Sequence, residues 1–335
     1  MSRPTIYDVA RESGVSIKTV SRVINDAPNV RPETVARVRG AIERLAYHPD
    51  PAAQRLGGGR LPTVGVVVDS IADPFFARLA AVVEDRATAV GMDVLVASTG
   101  LDEHRMRTQI QRLDRRGVAG LVVAPFGEPD AVAAALPDDV PVVVVDRPCG
   151  VTGTDVVRVD DEAAALGAVR HLVAHGHRRV AFLGRSGSFA TLRDRYRGYE
   201  RALAEAGVAL DPTLVETRAW TAEEAYPHAL AMLASPSAPT AVFAATPMMG
   251  LGVLRAQQRL HRQDVALIVF GDHPGSELMT PPTTVVDQRP EALAETAFDL
   301  LVRRIREPGA EVLDRVLPTR LVERGSGELA PRVAS

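Results

Sequence analysis

Ile17, Lys18, Ser21 and Arg22 lie close together in Ser16-Ile-Lys-Thr-Val-Ser-Arg-Val-Ile-Asn25, a segment that reads as a short helix. Residues of these types, near a helix N-terminus, can read the edges of bases. Lys18 and Arg22 can donate to guanine O6 and N7, and Ile17 can meet a thymine methyl. Lys18 is the only lysine among 39 basic residues. A β-branched apolar side chain exposed beside that lone lysine is hard to explain by folding. The alternative is an ordinary solvated helix face, and for Ser21 the two readings are even.

A second set of candidates follows short apolar runs. Asp73, Phe75 and Phe76 follow Val64–Val68, Pro125 and Phe126 follow Leu121–Ala124, and Asp146 and Arg147 follow Val142–Val145. Asp272 follows Val265–Phe270, and Arg195 opens a helical stretch after Val180–Leu183. Groups at the carboxyl ends of parallel strands are where doubly wound sheets bind ligands. Two of these residues have plainer readings. Phe76 suits the core, and Arg147 suits an ion pair with Asp155 or another carboxylate. His171, His175 and His177 form a metal-like cluster, but no carboxylate is spaced to complete a site. The sequence has no Gly-x-Gly-x-x-Gly loop, Gly-x-Ser-x-Gly elbow or His-Glu-x-x-His pattern. An enzyme on this scaffold is therefore the weaker expectation, and no cofactor is implied.

These residues must be positioned by a chain of 335 residues, enough for about two domains with room for a small extra one. With 46% hydrophobic and 24% charged residues it has a globular balance. The single cysteine, Cys149, rules out an intramolecular disulfide. No apolar run approaches the roughly 18 residues of a membrane span, and the N-terminus does not read as a secretory signal. The expected location is the cytoplasm. The net charge of −3 hides a basic head, residues 1–60, on an acidic body, a balance that suits a nucleic-acid partner.

The head ends at Gly57-Gly58-Gly59. Thr5 caps a first helix, with Asp8 in its first turn and Ile6, Val9 and Ala10 on one face. Gly14 ends it. Ser16 caps the second helix, with Val20, Val23 and Ile24 inward. Pro32 opens a third, striped by Val35, Val38, Ile42 and Leu45. Two short helices joined by a Gly-containing turn and braced by a third form a helix-turn-helix domain. Beyond it, Asp50-Pro51 to Leu56 reads as a helix of about two turns, too short to be stable alone. Leu56 is then either an apolar wedge in a minor groove or part of a linker packed on a neighbouring domain. After residue 61, nine short β-branched runs alternate with helical stretches at Ala77–Val90, Met106–Arg116, Asp161–His175, Arg193–Ala206, Glu223–Leu233 and Gly250–Leu260. That pattern predicts doubly wound α/β structure, divided into two sheets near Val151–Asp160.

The head resembles that of the lactose-repressor (LacI/GalR) family of bacterial transcriptional regulators, most specifically over Ile6–Asn25 and then at Leu45-Ala-Tyr47-His-Pro49 and Ala53-Gln-Arg-Leu56. The body adds Asp73-Pro-Phe-Phe76, Gly117-Val-Ala-Gly-Leu121, Pro141–Arg147, Val159-Asp160-Asp161, the His171–His177 turn, Arg195-Tyr-Arg-Gly198-Tyr199 and Pro282-Thr-Thr-Val285. The resemblance implies an all-α helix-turn-helix domain (1–49), a hinge helix and linker (50–61), and a periplasmic-binding-protein-like core. That core would comprise two doubly wound subdomains, 62–158 with 288–318 and 159–287 with 319–328, before a tail at 329–335.

It also implies a repressor that binds a pseudo-palindromic double-stranded operator as a homodimer, under the control of a small effector in the core cleft. The absence of a C-terminal coiled coil implies that assembly stops at the dimer. DNA contacts carry over to Thr5, Tyr7, Ser16, Ile17, Lys18, Thr19, Ser21, Arg22, Asn25, Ala53 and Leu56. Effector contacts carry over to Asp73, Phe75, Phe76, Pro125, Asp146, Arg147, Arg195, Trp220, Thr246 and Asp272. By resemblance Arg195 reaches the effector, Asp272 is its acceptor partner across the cleft, and Trp220, the only tryptophan, stacks on the ligand or covers a helix end.

The chain departs from the family where Thr246-Pro247-Met248-Met249 stands for the usual Asn-Asp, and where Val269-Phe270-Gly271-Asp272 stands for Gly-Phe-Asp-Asp. Those changes open three alternatives to a simple sugar: a less polar ligand, a phosphorylated one held by arginines, or none. A solute-binding protein without a transcriptional role is the remaining alternative for the whole chain, and the DNA-binding head argues against it.

Overall fold

The computed structural model describes residues 4–24, 30–45, 47, 61–148, 150–184, 190–219 and 221–332. The chain divides into two compact units, residues 1–61 and 62–335.

In the first unit, α1 (Ile6–Ser13), α2 (Ile17–Ile24) and α3 (Pro32–Leu45) surround a small core of Val9, Val20, Val23, Val38, Ala41 and Tyr47. The Asp8 carboxylate accepts from both the Thr5 N–H, at 2.9 Å, and the Thr5 hydroxyl, at 2.7 Å, which closes the start of α1. Gly14 ends α1 at φ 65°, a left-handed conformation that costs glycine nothing. Ser16 Oγ accepts from Thr19 N at 3.1 Å, so it supplies one of the partners that the first N–H groups of α2 lack.

The second unit begins with β1 (Leu61–Val68), α4 (Pro74–Ala89), β2 (Asp93–Ser98), α5 (Glu103–Arg116), β3 (Val118–Val123), α6 (Pro129–Ala133), β4 (Val142–Asp146) and β5 (Asp155–Val159). It continues with α7 (Asp161–Ala174), β6 (Val180–Leu183), α8 (Ala190–Glu205), β7 (Val215–Glu216), α9 (Ala222–Ala234), β8 (Ala241–Ala244), α10 (Pro247–Leu260), β9 (Ala266–Phe270) and β10 (Thr284–Asp287). It closes with α11 (Pro290–Arg306), β11 (Asp314–Leu317) and β12 (Arg320–Val322).

Two six-stranded sheets result, ordered β11-β5-β4-β3-β1-β2 and β12-β10-β9-β8-β6-β7. In the second sheet β12 runs antiparallel to β10, and the pairs linking β10, β9, β8, β6 and β7 are parallel. The chain passes between the sheets three times: at Asp160, at Gln288–Arg289, and between β11 and β12.

The valine-rich strands are apolar on both sides because helices cover both faces. α4 and α11 bury Phe76, Leu79, Val83, Leu293, Phe298 and Leu301 on one face of the first sheet, and α5 buries Met106, Ile110 and Leu113 on the other. In the second sheet α7 and α8 supply Val169, Leu172, Leu192 and Tyr199, while α9 and α10 supply Ala229, Leu233, Met249 and Val253 opposite. Each fully buried side chain of this size contributes roughly 1.5–3 kcal/mol. α7 packs closely on α8 because Gly198 faces it: a Cβ there would meet the Glu162 carbonyl oxygen and come within 2.8 Å of Ala165 Cβ.

Three strands lie beyond the nine apolar runs read from the sequence: β7, β11 and β12. β11 is exposed along most of its length. α6 and α11 are likewise additions to the six helical stretches.

Candidate functional site

The N-terminal half of α2 presents a largely solvent-exposed face. Ser16, Ile17, Lys18 and Arg22 are exposed, and Thr19 and Ser21 are half-buried. Ile17 is 39% exposed although Val20 and Val23 of the same helix are buried, so it faces away from the core. Thr5 is also exposed, and Tyr7 is 69% exposed. These exposed residues include cationic and hydroxyl donors and two large apolar groups, the mixture that suits phosphates and base edges. Asn25, Ala53, Leu56 and the expected hinge helix lie outside the described residues.

In the second unit, Asp69, Asp73, Phe75, Phe76, Asp146, Arg147, Thr191, Arg195, Thr246, Met248 and Gln288 line a cavity of about 70 Å³ between the carboxyl ends of the two sheets. Asp69 follows β1 directly, and Asp146 ends β4 at φ 71°, a backbone conformation unfavourable for a side-chain-bearing residue. Asp73 caps α4, with Oδ1 accepting from Phe75 N at 2.9 Å. Thr246 caps α10 in the same way, with Oγ1 accepting from Met249 N at 3.2 Å.

The two arginines are held by acids. Arg147, 6% exposed, donates from Nε to Asp146 Oδ2 at 3.0 Å and from Nη2 to Asp69 Oδ2. Arg195, 5% exposed, donates from Nε to Asp161 Oδ1 at 2.7 Å and from Nη1 to the Ala245 carbonyl at 2.7 Å. Its guanidinium lies over the Phe270 ring, 3.7 Å from the centroid.

Burial pushes the Asp161 carboxyl up to about 7 against the pull of Arg195, with Asp146 adding repulsion. Burial likewise raises Asp69 to about 6, opposed by Arg147 and reinforced by Asp146 and Asp73. Asp73 is raised chiefly by burial, and Asp146 adds to the shift. Burial alone would lower Arg147, but Asp69 and Asp146 outweigh it and raise its pKa.

Several expectations are redirected. Asp272 does not face Arg195. Arg324 donates to Asp272 Oδ2 from Nη2 at 2.7 Å and to Oδ1 from Nη1 at 3.1 Å, and Ser276 Oγ donates at 2.6 Å. Asp272 lines a different hollow, with His273, Asp287 and Arg320. The partner of Arg195 is Asp161, a neighbour on the helix packed against α8. Arg147 pairs with Asp69 and Asp146, whereas Asp155 is taken by Arg304 at 2.6 Å. Pro125 is buried and is not among the residues that line the cavity. Phe76 both packs in the core and lines the cavity, with its ring edge-on to Phe75 at 5.0 Å. Trp220 lies outside the described residues.

The histidines serve packing. His171 Nε2 meets Glu328 Oε1 at 2.8 Å, His175 Nδ1 meets the His171 carbonyl at 2.9 Å, and His177 bridges Thr240 and the Leu329 carbonyl.

Asp69, Asp161, Thr191 and Gln288 belong to the site but escaped the sequence reading. The strand-end rule points to Asp69. Nothing in the spacing of Asp161 and Arg195 announces their pairing.

Residues 5–50 match the family described as bacterial regulatory proteins, lacI family, and residues 169–327 match the periplasmic binding protein-like domain. The chain is 29% identical to the HTH-type transcriptional regulator DegA of Bacillus subtilis, over 97% of this chain and 98% of that one. It is 30% identical to the HTH-type transcriptional repressor PurR of Histophilus somni, over 92% and 94%. Among solved structures, a lac repressor dimer bound to operator and the anti-inducer ONPF superposes with a TM-score of 0.83 at 29% identity, covering 98% of this chain and 100% of that one. No helix among the described residues is long and apolar enough to cross a membrane. A helix-turn-helix head, a two-sheet core with a polar cleft, and relatives that match along nearly the whole chain lead to one conclusion: this chain belongs to the LacI family of bacterial transcriptional regulators.

Proposed function

We propose that this regulator is a cytoplasmic repressor that binds a pseudo-palindromic operator as a homodimer and is controlled by a small effector in the cleft of its core. Members of the family regulate transcription rather than catalyse reactions, and binding is the chemistry assigned to this chain as well. The observation that carries the DNA reading is the outward Ile17 beside Lys18 at the N-terminus of α2, on a helix whose Val20 and Val23 are buried. N-terminal residues of such a helix reach base edges in the major groove. Lys18 and Ile17 specify bases, Arg22 combines a base contact with positioning, and Thr5, Tyr7, Ser16, Thr19 and Ser21 contribute to the same face. The dimer reading draws on the lac repressor dimer described above, since two-fold protein symmetry and operator symmetry go together.

The effector reading is supported by the convergence of Asp73, Phe75, Phe76, Asp146, Arg147, Arg195 and Thr246 on one cavity. At about 70 Å³ that cavity is smaller than the roughly 300–1,000 Å³ of ordinary ligand pockets. A metabolite-sized effector therefore has to part the two walls, and a ligand that prefers the parted arrangement shifts the population towards it. Operator and effector must then change each other's affinity by the same factor.

The test is a titration of the full chain with duplexes selected from random sequence. Lys18→Ala is expected to cost about 1–3 kcal/mol on the selected site and to relax discrimination at one base pair. Uniform weakening on all sequences, with a shallower salt dependence, would assign Lys18 to phosphate instead.

A further inference from the structure

We infer that the cleft is built for an effector that carries a positive charge, an ammonium- or amidinium-bearing polar molecule, and not for a phosphorylated one; this rests on the reading of the cavity as the effector site. Two buried arginines beside a cavity invite the opposite conclusion. Each charge, however, is already faced by at least one buried carboxylate. Arg195 is taken by Asp161 and the Ala245 carbonyl and lies over Phe270, and Arg147 bridges Asp69 and Asp146.

What remains is an excess of acid. Asp69, Asp73 and Asp146 all line the cavity, and Asp161 stands directly behind Arg195. Asp69 is only 4% exposed, and its Oδ1 has no hydrogen-bond partner among the described residues. A buried carboxylate oxygen without a donor is costly, and a ligand donor offsets that cost. The repulsion of Asp69 by Asp73 and Asp146 adds to it. An ammonium group placed between Asp69 and Asp73 supplies the donor that Asp69 Oδ1 lacks and relieves that repulsion. A phosphate there meets the same acids with charge of their own sign. Phe75, Phe76 and Met248 provide apolar wall for the remainder of the molecule.

Two matched sets of probes test this on the full chain by calorimetry and thermal shift: ethanolamine, ethylene glycol and glycolate, and glucosamine, glucose and glucose 6-phosphate. The ammonium member of at least one set is expected to bind at least tenfold tighter than its neutral and anionic counterparts. It is also expected to release protons near pH 6.5, read from the dependence of the heat on buffer ionisation. Asp69→Asn, and independently Asp73→Asn, which retains a side chain able to cap α4, should abolish that preference. Tighter binding of a neutral or anionic member overturns the charge assignment. If that binding is lost in Arg195→Ala, the cavity stays the ligand site and only its charge preference falls. No binding by any probe also overturns the assignment, and the effector reading is then decided separately, by whether a cell extract shifts operator affinity in wild type and not in Arg195→Ala.

Discussion

The Arg195 guanidinium donates to the Asp161 carboxylate at 2.7 Å, and both side chains are buried, on two helices that pack closely against each other at Gly198. The pair thus does two things: it ties α7 to α8 and it aims a guanidinium at the cavity. Breaking one partner of a buried pair strands the other and costs about 3–5 kcal/mol. Arg195→Ala is expected to lower core stability by about that amount, to leave operator binding by the folded fraction nearly unchanged, and to abolish the effector response. The double variant Arg195→Met with Asp161→Leu removes both charges. It should regain most of the stability in urea titration without regaining the response. A double variant as unstable as Arg195→Ala would show that packing, and not the stranded charge, sets the cost.

Much of this was legible before the structure. The valine-rich runs announce strands buried on both faces, and Thr5, Gly14 and Ser16 announce the helix ends of the head. β11 and β12 were not legible, because they are short, carry Asp314, Arg315 and Arg320, and lack an apolar run. α11 does carry both a start signal, Pro290 at its first position, and a stripe at Leu293, Ala294, Ala297, Phe298 and Leu301; only its N-cap, Arg289, offers no capping side chain. At the cleft, strand ends located Asp73, Asp146 and Arg147. The pairing of Arg195 depends on how α7 and α8 approach, which one chain's spacing does not encode.

That approach makes Gly198 a sensitive position. Its neighbours on α7 are backbone atoms, the Glu162 carbonyl oxygen and Leu166 N, together with Ala165 Cβ. Gly→Ala in a helix normally gains up to about 1 kcal/mol in propensity. Here the added methyl forces the helices apart, with overpacking costs of about 1–3 kcal/mol. Gly198→Ala is expected to lower the urea midpoint and, by shifting Arg195, to weaken the effector response. An unchanged or raised midpoint would mean that the helices part without penalty.

The raised carboxyls give the core an unusual pH dependence. Asp161, near 7, and Asp69, near 6, bind protons more tightly folded than unfolded. Their contribution is therefore fully present below the ordinary carboxylate range near 4 and is lost as pH rises through 6 and 7. His177 acts with the opposite sign: burial lowers its pKa, so its contribution is lost as pH falls through that depressed value. A comparison of wild type with Asp161→Asn separates the two. The wild type should lose stability relative to the variant between pH 5 and 8, by an amount on the order of 1–3 kcal/mol. Parallel pH profiles would show that Asp161 ionises normally in the folded core.

Asp272 is the position where sequence and structure assign different work. The sequence reading made it the acceptor opposite Arg195. In the fold its carboxylate accepts from Arg324, Ser276 and the His273 N–H, clamping the turn after β9 to the segment after β12. Burial would raise its pKa, but the hydrogen bonds from Arg324, Ser276 and His273 outweigh it and hold the carboxyl below its usual range. The clamp is thus complete at neutral pH and is lost only as pH falls through that depressed value. Its side chain is 42% exposed, so solvent screening reduces what the ion pair contributes, to about 1 kcal/mol. Asp272→Asn is expected to cost about that much in melting experiments while the effector still shifts operator affinity as in wild type. Arg324→Met should reproduce the loss, and the double variant should add little to either. The opposite pattern, full stability with the effector response gone, would return Asp272 to the ligand. It would also mean that the walls move far enough on binding to bring β9 and Arg195 to the same molecule.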